Sequence, residues 1–221
     1  MIQLTQSEEN YLKEIYHLEE LEKGTVGTND LASRMQTKAS SVTDMIRRLA
    51  EKSLIKYEKY KGCELTDKGR REALKTIRKH RLWETFLVEK LNFGWEEVHE
   101  IAEQLEHIQS VKLTNRLDEF LSFPKFDPHG DPIPNQDGEI AHREKEIPLT
   151  ELEVNKKAKI TGVLDSSASF LKYLDKHNIQ LGVIVKIMEK FEFDQSLEVM
   201  LNNEKLNLSS TAAMNIMVQA L

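Results

Sequence analysis

Two histidines and three glutamates lie within the eleven-residue stretch VHEIAEQLEHI, residues 98–108. An α-helix turns by about 100° per residue, so His99, Glu103, Glu106 and His107 would project from one sector of a helix here. Imidazole and carboxylate groups together suit first-row divalent metals, and no thiol is among them. The alternative is an ordinary solvated face, because glutamates on helices are usually exposed. The spacing therefore predicts metal ligands and leaves a charged surface as the competing interpretation.

A second pair of such residues supports the metal interpretation. His80 and Glu84 are four residues apart in a predicted helix over residues 66–92, so they share one face of that helix. A ligand set of carboxylates and imidazoles mixes hard and borderline donors. This mixture favours Mn²⁺ or Fe²⁺ as the physiological ion, although Zn²⁺ or Co²⁺ can bind more tightly in vitro by intrinsic affinity order.

The elements that must position these residues follow from hydrophobic periodicity. Helices are predicted over residues 7–21, 30–35, 40–52, 66–92, 95–108 and 111–121. The stretch LIKYEKYKGCELT reads as a β-hairpin with Lys61 and Gly62 near its tip. Four of the five prolines fall within residues 124–134, which marks a domain boundary. The chain beyond Pro148 is rich in short β-type runs and predicts a small β-barrel.

Helix, tight turn, helix and hairpin is the order of a winged helix-turn-helix domain. The second helix of such a domain enters the major groove with its N-terminal residues facing base edges. Arginines one turn further along suit phosphate, and a basic hairpin tip would lie over the DNA backbone. The predicted DNA-binding residues are Lys38, Ser40, Ser41, Thr43, Arg47, Arg48, Lys59, Tyr60 and Lys61.

The charge distribution supports nucleic-acid binding even though the whole chain of 221 residues carries a net charge of -6. Residues 31–81 contain fifteen Lys and Arg against six Asp and Glu, a net of +9, so the rest carries -15. Phosphate contact needs only a local basic surface. A single cysteine, Cys63, excludes an intrachain disulfide and fits a reducing cytoplasm. The sequence contains no apolar run of about 20 residues and no signal-peptide pattern at its start.

These motifs together resemble the iron- and manganese-dependent repressors of the diphtheria toxin repressor family. The resemblance rests on ENYLKEIYHL, SSVTDMIRRL, LIKYEKYKG, RKHRLWETFL, VHEIAEQLEH and DPHGDPIP, which occur in the family's order and spacing. It implies a mainly α protein with three domains: a winged helix-turn-helix domain (1–72), a helical metal-binding and dimerisation domain (73–146) and an SH3-like domain (147–221). It also implies a cytoplasmic homodimer that, when loaded with metal, binds palindromic operator DNA and controls metal-homeostasis genes.

The resemblance assigns two metal sites. A primary site is implied at Asn10, Glu103, Glu106 and His107. An ancillary site is implied at His80, Glu84 and His99. Glutamate at position 103 is the manganese-type residue, where iron-type members have cysteine, so Mn²⁺ is expected and Fe²⁺ is the alternative.

Three positions depart from the family pattern. Asn10 stands where the family has Met or Asp; its amide oxygen can coordinate a metal but adds no charge. Lys13 stands where manganese-type members have a further glutamate ligand, so their closely spaced pair of ions is not implied here. In the third domain, Ser166 and Ser169, next to Asp165, align with acidic or amide ligands of iron-type members.

Two rival functions remain open on the sequence. One is a winged-helix regulator that works without metal and whose His and Glu face only packs. The other is a metallohydrolase with Glu106 as its base, although the sequence contains no HExxH motif. Calorimetry with Mn²⁺ separates the first from a metal-dependent regulator, and turnover lost in Glu106→Gln would indicate the second.

Overall fold

The computed structural model describes residues 4–59, 61–141 and 145–221 of the chain. The described chain divides into two compact units. The first unit comprises the residues up to His80 together with Glu103–Asn115 and Pro134–Glu139. The second comprises Arg81–Ala102, Arg116–Ile133 and Ile140–Leu221. Within the described ranges, no helix combines the length and apolar character needed to cross a membrane.

The N-terminal part has the predicted order of three helices, a hairpin and a long helix. Its elements are α1 (Gln6–Glu22), α2 (Thr28–Arg34), α3 (Ala39–Glu51), β1 (Ile55–Glu58), β2 (Gly62–Leu65) and α4 (Asp67–Leu91). Thr5 and Glu8 form a capping box at the start of α1, in which each side chain bonds the other's backbone N–H. The helix therefore begins earlier than the weak Ser7 signal predicts.

Helix α3 is held by one apolar stripe. Val42, Ile46 and Leu49 recur at spacings of four and three, and all three are fully buried. Lys38 precedes the helix in an extended conformation and gives it no side-chain cap. The apolar stripe thus fixes the helix against α1 and α2, and the opposite face of α3 is left to solvent.

Glycine is required where the hairpin meets the segment before α2. Gly62 pairs with Glu58 across β1 and β2 and has a φ of 107°, which L side chains rarely adopt. A Cβ at this position would lie 2.3 Å from the carbonyl oxygen of Val26. Val26 and Cys63 exchange backbone hydrogen bonds of 2.9 and 3.0 Å, so the strand packs directly on the segment before α2.

The helix predicted over residues 95–108 is shorter in the structure. Helix α5 spans Val98–Leu105, and α6 spans Val111–Phe120. Residues 95–97 form a turn, and Glu106 and His107 lie in the turn that follows α5. The prediction of one helix over residues 95–108 is therefore wrong at both ends. The backbone N–H of Ile108 bonds the carbonyl of Leu105, which tightens the chain into this turn.

The C-terminal part is the β-rich domain that the sequence predicts. Its strands are β3 (Glu146–Pro148), β4 (Lys157–Val163), β5 (Ile184–Lys190), β6 (Leu197–Leu201), β7 (Glu204–Leu208) and β8 (Ile216–Ala220). They form one antiparallel sheet in the order β3-β8-β4-β5-β6-β7, with helices α7 (Ala168–Lys176) and α8 (Ser210–Met214). Ile160, Leu171, Ile187 and Val218 lie at the centre of its core. Closure of this sheet into a barrel stays a prediction.

Candidate functional site

Glu106, a member of the predicted primary site, is a fully buried carboxylate. The ammonium of Lys13, on α1, lies 2.7 Å from its Oε1 and 2.9 Å from its Oε2. The Nδ1–H of His80, on α4, donates to Oε2 over 2.6 Å, since a carboxylate can only accept. Burial disfavours the charged form of Glu106, but the hydrogen bond from His80 and the charge of Lys13 outweigh it and hold the pKa of Glu106 below its ordinary value.

Glu103 is the second carboxylate of this group. Its Oε1 lies 2.6 Å from the Lys13 ammonium and 4.0 Å from Nδ1 of His80. Glu103 is about one-third exposed, whereas Lys13 is almost fully buried. Burial opposes the charged form of Lys13, but Glu106 and then Glu103 raise its pKa. Lys13 is therefore a buried cation held between two of the predicted metal ligands.

His107 is oriented by a carboxylate on α1. Its Nδ1 lies 2.6 Å from Oε2 of Glu9, and Nδ1–H donates to this carboxylate. Nε2 of His107 points towards Glu106, with 3.7 Å between it and Oε1. A carboxylate that fixes the far nitrogen of a histidine is the usual partner of a metal-binding imidazole. Glu9 is a residue that the sequence reasoning missed; its only signal was its place next to Asn10.

Asn10 places a buried amide oxygen on α1. The Oδ1 atom of Asn10 is buried, and among the described residues it accepts no hydrogen bond. A buried carbonyl oxygen left in this state is costly, by about 1–3 kcal/mol. Asn10 follows Glu9 on α1 and precedes Lys13 by three residues, and both of these neighbours contact the predicted ligands. The orphaned oxygen and the carboxylate and imidazole donors fit a divalent cation that prefers oxygen and nitrogen ligands.

The three residues of the predicted ancillary site fall in two different units of the chain. His80 belongs to the first unit, where it bonds Glu106. Glu84 and His99 belong to the second unit, where Nδ1 of His99 lies 3.5 Å from Oε1 of Glu84. Glu84 is buried and His99 is more than half exposed. The ancillary assignment of all three residues stays a prediction.

The second unit contains a buried group that the sequence reasoning did not single out. Glu84, Asp127 and His129 each place one ligand atom within 4.8 Å of the others, and all three are buried. Nδ1 of His129 lies 3.6 Å from Oε2 of Glu84, and Nε2 lies 2.8 Å from the carbonyl oxygen of Trp95. The available signal was the DPHG sequence, in which an acid and a histidine are two residues apart.

Protonation in this group is strongly perturbed. Burial, reinforced by the carboxylates of Asp131 and Glu84, raises the pKa of Asp127 to about 7. Burial disfavours the charged imidazolium of His129, but Glu84 and then Asp127 outweigh it and raise its pKa to about 9. Arg81 lies 3.7 Å from Asp127 and supplies a further positive charge. Two acids and a histidine thus compete for protons in a space that suits a cation.

Most of the predicted DNA-binding residues that the structure describes are exposed, on or beside α3 and the hairpin. The exposed members are Lys38, Ser40, Ser41, Arg47, Arg48, Lys59 and Lys61. Thr43 is half-buried, and its hydroxyl donates to the carbonyl of Ala39 over 2.9 Å. Arg47 lies 3.8 Å from Asp44, and Lys61 lies 2.7 Å from Glu58. Tyr60 lies outside the described residues.

Models of three protein families match the chain in sequence. The first, the iron dependent repressor N-terminal DNA binding domain, matches residues 3–63. The second, the iron dependent repressor metal binding and dimerisation domain, matches residues 66–135. The third, the FeoA domain, matches residues 147–220.

Individual proteins are similar to the chain over nearly all or over about three fifths of its length. The iron-dependent repressor IdeR of Mycobacterium tuberculosis is 37% identical over 134 residues, which span 61% of this chain and 58% of IdeR. A solved manganese-dependent transcriptional repressor in complex with manganese is 36% identical, with a TM-score of 0.86, and the match covers 97% of this chain and 100% of that one. The manganese regulator SloR is 32% identical, with a TM-score of 0.74 and coverage of 97% and 98%.

Proposed function

Because the chain belongs to the iron-dependent repressor family, we propose that it is a metal-dependent transcriptional repressor that binds operator DNA. Its described residues include a DNA-binding domain and a metal-binding and dimerisation domain of that family. The family consists of repressors rather than enzymes, so the hydrolase alternative is set aside. The observation that supports the metal dependence is the buried Oδ1 of Asn10, which accepts no hydrogen bond from the residues that the structure describes. Asn10 lies on α1, the helix that Glu103 contacts through Lys13.

The ion proposed for the primary site is Mn²⁺, with Fe²⁺ as the alternative. Relatives of both types are similar to this chain, since IdeR is an iron-dependent repressor and the solved relatives include manganese-dependent ones. The carboxylate of Glu103 favours Mn²⁺, because hard oxygen ligands suit this ion and a thiolate would suit softer ions.

The residues that would hold the ion are Asn10, Glu103, Glu106 and His107. A bound divalent ion supplies positive charge and directional coordination to donors from two separate segments of the chain. Asn10 lies on α1, which leads towards the DNA-reading helices, and the other three lie on α5 and the turn that follows it. Ligands from both segments thereby make the position of α1 relative to residues 103–107 depend on metal.

This dependence gives a physical basis for regulation. A repressor dimer binds palindromic DNA when the spacing of its two recognition helices matches the half-sites. An ion that binds one arrangement better shifts the population towards it, with a typical coupling of about 1–3 kcal/mol, or roughly five- to 150-fold in affinity.

We assign the homodimer to residues 73–146, DNA reading to residues 1–72 and a FeoA-like, SH3-like barrel to residues 147–221. Metal-homeostasis genes are the proposed targets, and the cytoplasm is the proposed location.

A second group of ligands is proposed in the second unit. Glu84 contacts both His99 and His129, so it is the common member of the predicted ancillary site and of the Glu84, Asp127 and His129 group. Carboxylate and imidazole donors here match those of the primary site in chemistry. This group would therefore take the same class of divalent ion.

The proposed function is tested by selecting DNA from a random-sequence pool with the full chain, once with Mn²⁺ and once with EDTA. A palindromic sequence enriched only with Mn²⁺ is the expected result. Equal enrichment in both conditions, with no heat of Mn²⁺ binding in calorimetry, would favour the metal-independent regulator instead. The variant His107→Ala removes one proposed ligand. It should keep its fold and no longer enrich the palindrome with Mn²⁺.

A further inference from the structure

Lys13 contacts the predicted metal ligands in the way a bound cation would. Its ammonium lies 2.6 Å from Oε1 of Glu103, 2.7 Å from Oε1 of Glu106 and 2.9 Å from Oε2 of Glu106. Three carboxylate oxygens thus surround one positive charge, and Lys13 is only 4% exposed. An ammonium has three donors, and these three contacts satisfy all of them.

The Glu106 carboxylate is engaged by side chains from both α1 and α4. Both of its oxygens contact the Lys13 ammonium, and Oε2 also accepts from His80 over 2.6 Å. A divalent ion coordinated by Glu103 and Glu106 must therefore take over oxygens that now face the ammonium. The divalent ion and the Lys13 ammonium would repel each other strongly if both contacted these oxygens in a buried site.

On this geometry we infer that Lys13 is an internal cation that a divalent ion must displace from Glu103 and Glu106, so that Lys13 sets the metal affinity of the site. The inference deepens the proposed function and rests on it for the identity of the ion. In the metal-free state, the Lys13 ammonium offsets the repulsion between the carboxylates and holds α1 to Glu103 and Glu106.

The experiment compares Lys13→Met with the wild-type full chain by calorimetric titration with MnCl₂. Methionine keeps the length and apolar character of the lysine stem and removes the charge. Mn²⁺ should bind roughly tenfold or more tightly to Lys13→Met, because one opposing charge at contact distance is gone. The metal-free variant should also have a lower Tm, since two clustered carboxylates lose their counter-charge.

The matched control is Lys52→Met. The Lys52 ammonium lies 2.6 Å from Oε1 of Glu8, so it also pairs with a carboxylate of α1, but Glu8 is not among the predicted ligands. This control should lower the Tm and leave the Mn²⁺ affinity within about twofold of wild type, because its charge lies away from the ligand oxygens. An equal gain in affinity in both variants would overturn the role of Lys13.

Further outcomes separate the two levels of the proposal. Wild-type protein that takes up no divalent ion would overturn the proposed function. Wild-type binding with no tighter binding in Lys13→Met would overturn only the inference about Lys13. Should Lys13→Met fail to fold, NMR of the wild-type lysine ammonium groups during titration with diamagnetic Zn²⁺ is decisive. A signal from a buried ammonium that shifts or broadens on loading supports displacement, and one unchanged at saturation refutes it.

Discussion

Substitution of Glu106 by glutamine should destabilise the metal-free protein, because it removes one partner of a buried ion pair. Lys13 would keep Glu103 at 2.6 Å, but a neutral amide at the fully buried position 106 would leave it with one charged partner in place of two. Breaking a buried pair in this way costs about 3–5 kcal/mol. The lower end, about 3 kcal/mol, is expected here because Glu103 remains to neutralise Lys13.

This cost translates into a measurable shift in Tm. For a chain of this size, 1 kcal/mol corresponds to about 2–4 °C, so the Tm of Glu106→Gln should fall by roughly 6–12 °C. Calorimetry in EDTA measures this shift in the absence of metal. The matched control is Glu100→Gln, an exposed carboxylate on the preceding helix, which should change the Tm by less than about 2 °C.

The destabilisation should also depend on pH in a fixed direction. The pKa of Glu106 is lowered in the folded protein, so its carboxylate contributes stability above the pKa of the unfolded chain and loses it as the pH falls. The Tm difference between wild type and Glu106→Gln should therefore shrink below about pH 4.3. A Tm for Glu106→Gln equal to that of Glu100→Gln at neutral pH would refute the assignment of Glu106 and Lys13 as a stabilising pair.

Other substitutions test the metal preference, the DNA interface and the fold. Glu103→Cys should shift the preference from Mn²⁺ towards Fe²⁺ or softer ions, and a competition titration with unchanged order would argue against this position as a selector. Arg47→Ala and Arg48→Ala should each weaken DNA binding about equally for all sequences and reduce the slope of log K against log salt by about 1, measured by fluorescence anisotropy. Gly69→Ala should lower the Tm, since its Cβ would lie 1.9 Å from the carbonyl oxygen of Leu54; an unchanged Tm in calorimetry would contradict that close approach.

Elements with a strong periodic signal could be predicted from the sequence. The apolar stripe of Val42, Ile46 and Leu49 predicts α3 and its buried face, and the alternation around Lys61 and Gly62 predicts the hairpin. Such patterns are predictive because the spacing of apolar residues along the chain determines which face of a helix or strand is buried. The strand order of the C-terminal sheet has no comparable signal, since β3 pairs with β8 from the far end of the chain.

The contacts around the predicted ligands could not be predicted from the sequence, and the ligand set itself stays a prediction. Counting helical turns placed Glu106 and His107 on α5, whereas they lie in the turn after it and face Lys13 and Glu9 on α1. Helix ends depend on tertiary contacts as much as on propensity, so their positions are the hardest to predict. Lys13 and Glu106 are 93 residues apart in sequence, so no local sequence pattern predicts that they pair.

The assignment of Asn10, Glu103, Glu106 and His107 as ligands is tested most directly by anomalous diffraction from crystals grown with Mn²⁺. Data collected on either side of the manganese absorption edge should give a peak bonded to all four side chains, with the Lys13 ammonium moved away from Glu103 and Glu106. A peak at the site with Asn10 uncoordinated would remove α1 from the regulatory mechanism. The absence of any manganese peak among these residues, in crystals of protein that binds DNA, would contradict metal control through this site.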